Sequence, residues 1–208
     1  MGLVSPEGLP KLLGFMSCDT SSENKDSIKD PIQSSLLKQR MITLFGEISQ
    51  KAAREFTEKL MVLSGESEDP IKVIINSPGG HVESGDTIFD MIRFVKPRVQ
   101  VIGTGWVASA GALIYSAPPR EDRFALPNTR FMLHQPSGGV GGSASDAEIE
   151  AKEIIKMRGR LNQIFADQTG QSLEQITKDS DRNFWMGPEE AVEYGLVGKV
   201  IQSINDLA

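Results

Sequence analysis

The chain has 208 residues, of which 39% are hydrophobic and 24% charged, an ordinary composition for a soluble globular domain. A net charge of -6 at pH 7 argues against a nucleic-acid or anionic-membrane partner. Its single cysteine, Cys18, excludes an internal disulfide and a thiolate metal cluster, and no apolar run reaches the ~20 residues of a membrane span. We expect a metal-free cytoplasmic protein, with an organellar location left open.

Residues 1–38 differ in character from the remainder of the chain. Segment 19–30 is polar and charged and lacks apolar periodicity, which is typical of a flexible arm. A removable pro-segment is one interpretation of this arm. We predict that residues 39–208 form a single domain.

Strands and helices alternate from residue 40 onward. The apolar patterns predict strands at 41–45, 71–75, 99–103 and 131–134, and helices at 49–63, 84–95 and 109–116. Strands recurring at roughly 25- to 30-residue intervals are typical of repeated β-α units. The predicted fold class is therefore α/β.

A long helix is predicted at about residues 144–167. Ser143 or Ser145 is a suitable N-cap, and Gly170 a suitable end. Such a helix would span roughly 36 Å at ~1.5 Å per residue, so it should project from the domain. Its apolar side chains then need a partner, which predicts an oligomer. A short helix at 188–194 and a strand at 197–201 complete the pattern.

The candidate chemistry centres on Ser109 and His134. Ser109 follows a predicted strand and a glycine turn, at the start of an apolar helix where free N–H groups surround the hydroxyl. His134 ends a predicted strand. A serine hydroxyl becomes a strong nucleophile only when a nearby base takes its proton, so the pair indicates a serine hydrolase. The alternatives are an N-cap serine and a structural histidine.

Two glycine-rich segments flank these residues. The Asn-Ser-Pro-Gly-Gly loop at 76–80 presents bare backbone, whose N–H groups, with that of Ala110, would suit an oxyanion hole. A tight turn is the alternative. Segment 137–142 lacks the lysine of a phosphate-binding loop. It suits an extended peptide-binding strand or a flexible hinge.

The order of these motifs is more specific than any one of them. The chain contains, in order, Asn-Ser-Pro-Gly-Gly, Gly-x-x-Ala-Ser-x-Gly, His-Gln-Pro-x-Gly-Gly and a long helix before Thr-Gly-Gln-Ser. This order resembles that of the proteolytic subunit of the Clp protease (ClpP) over about residues 42–201. The resemblance implies a ClpP/crotonase-like repeated β-β-α superhelix with a projecting "handle" helix. It also implies that Ser109 is the nucleophile, His134 the base, and Gly80 and Ala110 the oxyanion donors.

The same resemblance implies an assembly. Two seven-membered rings would stack through the handle helices into a fourteen-subunit barrel that encloses the active sites. The resemblance assigns peptide binding to Ser137, Gly138 and Gly139, and ring contacts to Gln135 and Arg182. A hexameric AAA+ ATPase would unfold and feed the substrates, so ATP is used by the partner and this chain needs no cofactor. The N-terminal arm would then be an axial loop or a pro-segment.

The chain departs from the family at the third triad position. The family usually has an aspartate where this chain has Asn183. Asparagine accepts a hydrogen bond from imidazole but brings no negative charge, which predicts weak intrinsic activity. Asp179 and Asp181 are alternatives for this role. Two other functions also remain open: a mainly structural or regulatory subunit of a mixed barrel with an active paralogue, and a crotonase-type acyl-CoA enzyme.

Overall fold

The computed structural model describes residues 31–138 and 142–207. Within these residues the chain forms seven α-helices, seven strands and two short 3-10 helices, Arg120–Asp122 and Ile204–Asp206. In chain order the α-helices and strands are α1 (Pro31–Lys38), β1 (Met41–Phe45), α2 (Gln50–Glu66), β2 (Ile71–Ser77), α3 (Val82–Phe94), β3 (Val99–Ala108), α4 (Ala110–Tyr115), β4 (Arg123–Ala125), β5 (Arg130–Leu133), α5 (Ala144–Thr169), α6 (Leu173–Asp179), β6 (Phe184–Met186), α7 (Pro188–Tyr194) and β7 (Lys199–Val200). In this part of the chain, no helix combines the length and apolar character needed to cross a membrane.

The strands form one sheet in the order β1-β2-β3-β4-β7, with every one of these pairings parallel. The long strand β3 changes partners along its length. On one side it pairs with β2 as far as Val107, and on the other side it pairs first with β4 and then, from Trp106 to Ala108, with β5. β6 then pairs antiparallel with β5. The end of β3 therefore brings β5 and β6 close to the start of α4.

The core lies between one face of the sheet and helices α2, α3 and α4. Alternate side chains of β2 are buried, as expected for a strand with one covered face. Val73 and Ile75 are fully buried, while Ile74 points to the opposite face and joins a smaller apolar cluster with Ile102 and Phe124. The α/β fold with a parallel sheet, predicted from the pattern, is confirmed.

α5 is the long helix that the sequence predicts, extended by two residues at its end. Its N-terminus carries a capping box between Ser143 and Asp146, and Gly170 ends it in the left-handed conformation, with φ 78°. Its buried residues begin only at Leu161, and Ile149 and Ile155 are exposed. The first two thirds of the helix therefore extend beyond the packed body.

Several short elements were not predicted. β4 and β6 have three residues each, too few for a period of two to be recognised, and α6 has seven. β3 runs five residues further than predicted, and the last strand contains only Lys199–Val200. The last eight residues of the predicted arm form helix α1, which its polar composition did not indicate. Residues 1–30 lie outside the described residues.

Candidate active site

Ser109 occupies the tight turn between β3 and α4. Its φ of 55° and ψ of -124° lie in a region that residues with a side chain rarely adopt. The backbone N–H of Ser109 donates to the carbonyl of Met132 at 2.9 Å, which anchors the turn to β5. The hydroxyl makes no capping bond to α4, so Ser109 is not a side-chain N-cap. Its oxygen is therefore available for another partner.

That partner is His134, the residue that follows β5. β5 pairs with β3 in a register that places Met132 beside Ala108, so the two strands end at the same edge of the sheet. Nε2 of His134 lies 2.8 Å from Oγ of Ser109, within reach for proton transfer. A neutral imidazole with its proton on Nδ1 accepts the serine proton in this geometry.

Asn183 meets His134 because β5 and β6 are antiparallel. Leu133 pairs with Phe184, and continuing the same register by one residue brings His134 opposite Asn183. The side chain of Asn183 lies close enough to act as an acceptor for the imidazole N–H, and this interaction raises the pKa of His134. Since Nε2 faces Ser109, this interaction uses Nδ1. The geometry thus brings together the three residues named from the sequence as a triad.

Two opposing effects act on the pKa of His134. Burial lowers the pKa, because a buried imidazolium loses hydration, and the bond to Asn183 raises it by a smaller amount. The net result is a pKa below the ordinary histidine value. His134 is therefore neutral, and able to act as a base, at neutral pH.

The direction of this shift predicts the pH dependence of hydrolysis. A protonated imidazole cannot accept the serine proton, so kcat/KM should rise with pH through the pKa of His134. We expect the midpoint of this acid limb to lie below about 6.5, the ordinary histidine value. A pH series of kcat/KM on a fluorogenic peptide measures it. His81→Asn, which replaces the other histidine with a good N-cap, should leave the midpoint unchanged. A midpoint above 6.5 would contradict the assignment of the acid limb to a His134 with a lowered pKa.

The loop before α3 lies against the Ser109 turn. Gly79 and Gly80 have φ values of 96° and 148°, which favour glycine. A Cβ on Gly79 would lie 2.6 Å from Cβ of Ser109, and a Cβ on Gly80 would lie 2.3 Å from the carbonyl oxygen of Ile48. Gly80 is exposed, and Ala110 is the first residue of α4, whose N–H has no acceptor within the helix. Gly79 therefore packs directly against the Ser109 turn, where its added Cβ would also lie 3.1 Å from the backbone nitrogen of Ala110, and Gly80 is the next residue along this loop.

The predicted peptide-binding segment is only partly described. Ser137 and Gly138 are exposed and form no strand with the rest of the subunit. A Cβ on Gly138 would lie 3.3 Å from Ile154, which places the segment beside α5. Gly139 lies outside the described residues. Ser137 and Gly138 come just after His134, where a peptide-binding segment would be useful. Their peptide-binding role stays a prediction.

The remaining candidates lie around the triad but do not enter it. The Gln135 carboxamide donates to the Asp181 carbonyl at 2.7 Å, and the Asp181 carboxylate accepts from Arg158 at 3.2 Å. Asp179 accepts from the Tyr194 hydroxyl at 2.8 Å. Both aspartates thus have partners other than His134, so the alternatives to Asn183 are not supported. Arg182 is exposed, as a ring contact requires.

Two features of the site were not recognised in the sequence. The carbonyl of Met132 anchors the Ser109 turn, and Gly79 allows the close approach of the loop to Ser109. The Gly79-Gly80 pair is visible in the sequence. The pair does not show which glycine donates an N–H to the oxyanion and which allows the loop to approach Ser109. No residue pattern marks the Met132 carbonyl, since backbone contacts depend on strand register.

Comparisons with known proteins agree with this geometry. The family model described as Clp protease matches residues 23–204. The ATP-dependent Clp protease proteolytic subunit 3 of Rhizobium meliloti is 57% identical over 175 residues, 84% of this chain and 90% of that protein. The subunit 2 of Gluconobacter oxydans is 55% identical over 194 residues, 91% of this chain and 87% of that protein.

Solved structures show the same similarity. ClpP1 from Listeria monocytogenes superimposes with a TM-score of 0.78 at 51% identity, covering 85% of this chain and 99% of that one. A ClpP1 variant with one asparagine-to-aspartate substitution, from the same organism, gives a TM-score of 0.80 with the same identity and coverage. The chain therefore belongs to the Clp protease family and is a peptide-bond hydrolase of that family.

Proposed function

We propose that the chain is a proteolytic subunit of an ATP-dependent protease and cleaves unfolded polypeptides with Ser109 as nucleophile. The observation that carries this proposal is the 2.8 Å contact between Oγ of Ser109 and Nε2 of His134. In that reaction Oγ attacks the peptide carbonyl while His134 takes its proton, then returns it to the leaving amine. Water hydrolyses the acyl-enzyme by the same proton path.

The N–H groups of Gly80 and Ala110 would stabilise the oxyanion of the tetrahedral intermediate. Preorganised backbone donors act on charge that develops only in the transition state, so they accelerate the chemical step. Ser137, Gly138 and Gly139 would hold the substrate as an extended strand. All of these groups come from the polypeptide, and we propose that the chain uses no cofactor.

Intrinsic activity is proposed to be weak because of Asn183. Asparagine orients the imidazole through its side-chain oxygen, but the imidazolium that forms during attack meets no negative charge. Asn183 is also exposed in the single subunit, so water competes for its hydrogen bond. A neighbouring subunit that covers this side would strengthen the contact.

The structure supports an assembly of rings and a docking partner. The exposed Ile149 and Ile155 on the projecting part of α5 suit a contact between handle helices, beside the proposed ring contacts of Gln135 and Arg182. A groove of about 170 Å³ lies on the sheet face opposite the helices and suits an apolar loop of an AAA+ ATPase. It is lined by Met41, Lys72, Ile74, Ile102, Leu126, Ile201, Gln202, Ser203, Ile204 and Leu207. Lys72 adds a positive charge there, so a partner loop with a nearby acidic residue is favoured.

Covalent labelling tests the proposal directly. The assembled wild-type protein, treated with a fluorophosphonate and digested, is expected to carry the adduct on Ser109, because His134 activates that hydroxyl. Prior incubation with a peptide substrate should slow labelling. An assembled protein that stays unlabelled at Ser109, while another active serine peptidase labels under the same conditions, would contradict a serine peptidase.

A mainly structural subunit of a mixed barrel is the second candidate. Asn183 favours it, and so do the numbered subunit names of the relatives, which are consistent with paralogues. Mixed barrels with Ser109→Ala in this chain only, compared with wild-type mixtures, separate the two functions. A loss of peptide hydrolysis in proportion to this chain's share supports catalysis here, and unchanged hydrolysis supports the structural function.

A further inference from the structure

Helix α3 connects the two proposed oxyanion donors. It begins two residues after Gly80, and its first turn is capped by His81, whose Nδ1 accepts from the Ser84 N–H at 3.3 Å. One turn later Gly85 packs against Ala110, where a Cβ on the glycine would lie 3.2 Å from Cβ of Ala110. A small shift of this part of α3 therefore changes the spacing of the Gly80 and Ala110 N–H groups.

Asp86, the residue after Gly85, ties this turn to α5. Both oxygens of its carboxylate accept from the guanidinium of Arg160, each at 2.7 Å. The Asp86 side chain is only 20% exposed. A planar guanidinium paired through two parallel bonds fixes direction as well as distance, which one lysine ammonium does not. The pair therefore fixes α3 in orientation as well as in position.

Arg160 stands where α5 leaves the packed body. Burial of α5 begins at the next residue, Leu161. Two further acids on α3, Glu83 and Asp90, raise the pKa of Arg160 through their charge, after the larger effect of its hydrogen bonds to Asp86. Glu83, Asp86 and Asp90 are spaced three and four residues apart, so they share one helix face. Only the central acid of this stripe makes the bidentate contact.

We propose that Asp86 and Arg160 form a positioning pair, which holds the first turns of α3 so that the Gly80 and Ala110 N–H groups converge on the oxyanion. The inference rests on the proposed function of Ser109. Ion pairs with exposed members stabilise folds little. The pair should therefore act on the chemical step more than on the melting temperature.

Steady-state kinetics of Asp86→Asn test the pair. The variant keeps the shape of the side chain but removes its charge. We expect kcat on a fluorogenic peptide to fall roughly tenfold, less than the roughly 100-fold or greater loss when an oxyanion donor is removed outright. KM should change less than about twofold, because ground-state binding is untouched. Affinity for a peptide boronate, a tetrahedral mimic, should fall by the same factor as kcat.

Asp90→Asn is the matched control, with the same chemical change on the same helix face but no bidentate contact to lose. It should keep the wild-type kcat. The acid-limb midpoint of Asp86→Asn should equal that of the wild type, because His134 lies outside the pair. The double variant Asp86→Asn, Arg160→Gln should be no slower than the slower single variant, as expected for residues that act together.

Asp86→Asn rates equal to those of Asp90→Asn, with both variants assembled, overturn the pair. If Asp86→Asn fails to assemble, Arg160→Lys is tested instead, since lysine keeps the positive charge but cannot make the bidentate contact to Asp86. A kcat loss in assembled Arg160→Lys supports the pair, and wild-type kcat overturns it. Labelling of Ser109 in the wild type separates failure of the proposed function from failure of the positioning pair. If Ser109 is not labelled, the proposed function is contradicted. If Ser109 is labelled but the variants keep the wild-type kcat, only the positioning pair is contradicted.

Discussion

Ser109→Ala is expected to reduce peptide hydrolysis by roughly three to six orders of magnitude and to abolish fluorophosphonate labelling. The hydroxyl oxygen of this residue lies 2.8 Å from Nε2 of His134. Because it caps no N–H of α4, its removal should change the melting temperature little. Hydrolysis rates, labelling and thermal unfolding of the assembled variant are the measurements.

Ser49→Ala is the control for this variant. Ser49 is a true N-cap, whose side chain accepts from the Ala52 N–H at 3.2 Å. Its loss should lower stability by about 1 kcal/mol while hydrolysis by the folded protein persists. The two variants therefore separate a nucleophile from a helix cap. Wild-type hydrolysis by purified Ser109→Ala would contradict Ser109 as nucleophile.

Asn183→Asp is expected to raise kcat by at least about tenfold, because a carboxylate at this position stabilises the imidazolium that forms during attack. The same charge should raise the pKa of His134, so the acid limb of kcat/KM should move to higher pH than in the wild type. The gain should therefore be largest at neutral or alkaline pH. Steady-state kinetics over a pH series measure both effects.

Asn205→Asp makes the same chemical change at an exposed position in the C-terminal segment, away from His134. It should alter neither kcat nor the acid limb. Asn183→Asp that assembles like the wild type, yet shows no gain and no movement of the acid limb, would contradict Asn183 as the orienting residue. It would then favour the mainly structural subunit.

The fold class and the nucleophile–base pair were predictable because they depend on local patterns. Alternating apolar runs of strand and helix length specify an α/β domain, and each motif sits at an element boundary. Ser109 follows a predicted strand and His134 ends another, so a parallel sheet would place them at one edge. The long helix was recognisable from its length, its serine cap and Gly170.

The contacts between distant segments were not predictable in this way. β6 has three residues, too few to show a period, yet its antiparallel register with β5 places Asn183 beside His134. The Asp86–Arg160 pair joins residues 74 positions apart and leaves no motif. Such pairings depend on the tertiary packing of helices, which no local pattern records.

The sequence alone determined the repeated β-α architecture, the projecting helix and the chemistry of a serine beside a base, since composition, periodicity and motif order are properties of the chain. Only the tertiary structure decided that Ser109 lies within 2.8 Å of His134, that Asn183 rather than Asp179 or Asp181 lies beside the imidazole, and that Gly79 packs against the Ser109 turn. These outcomes depend on strand register, where a shift of one residue would turn each side chain to the opposite face of the sheet.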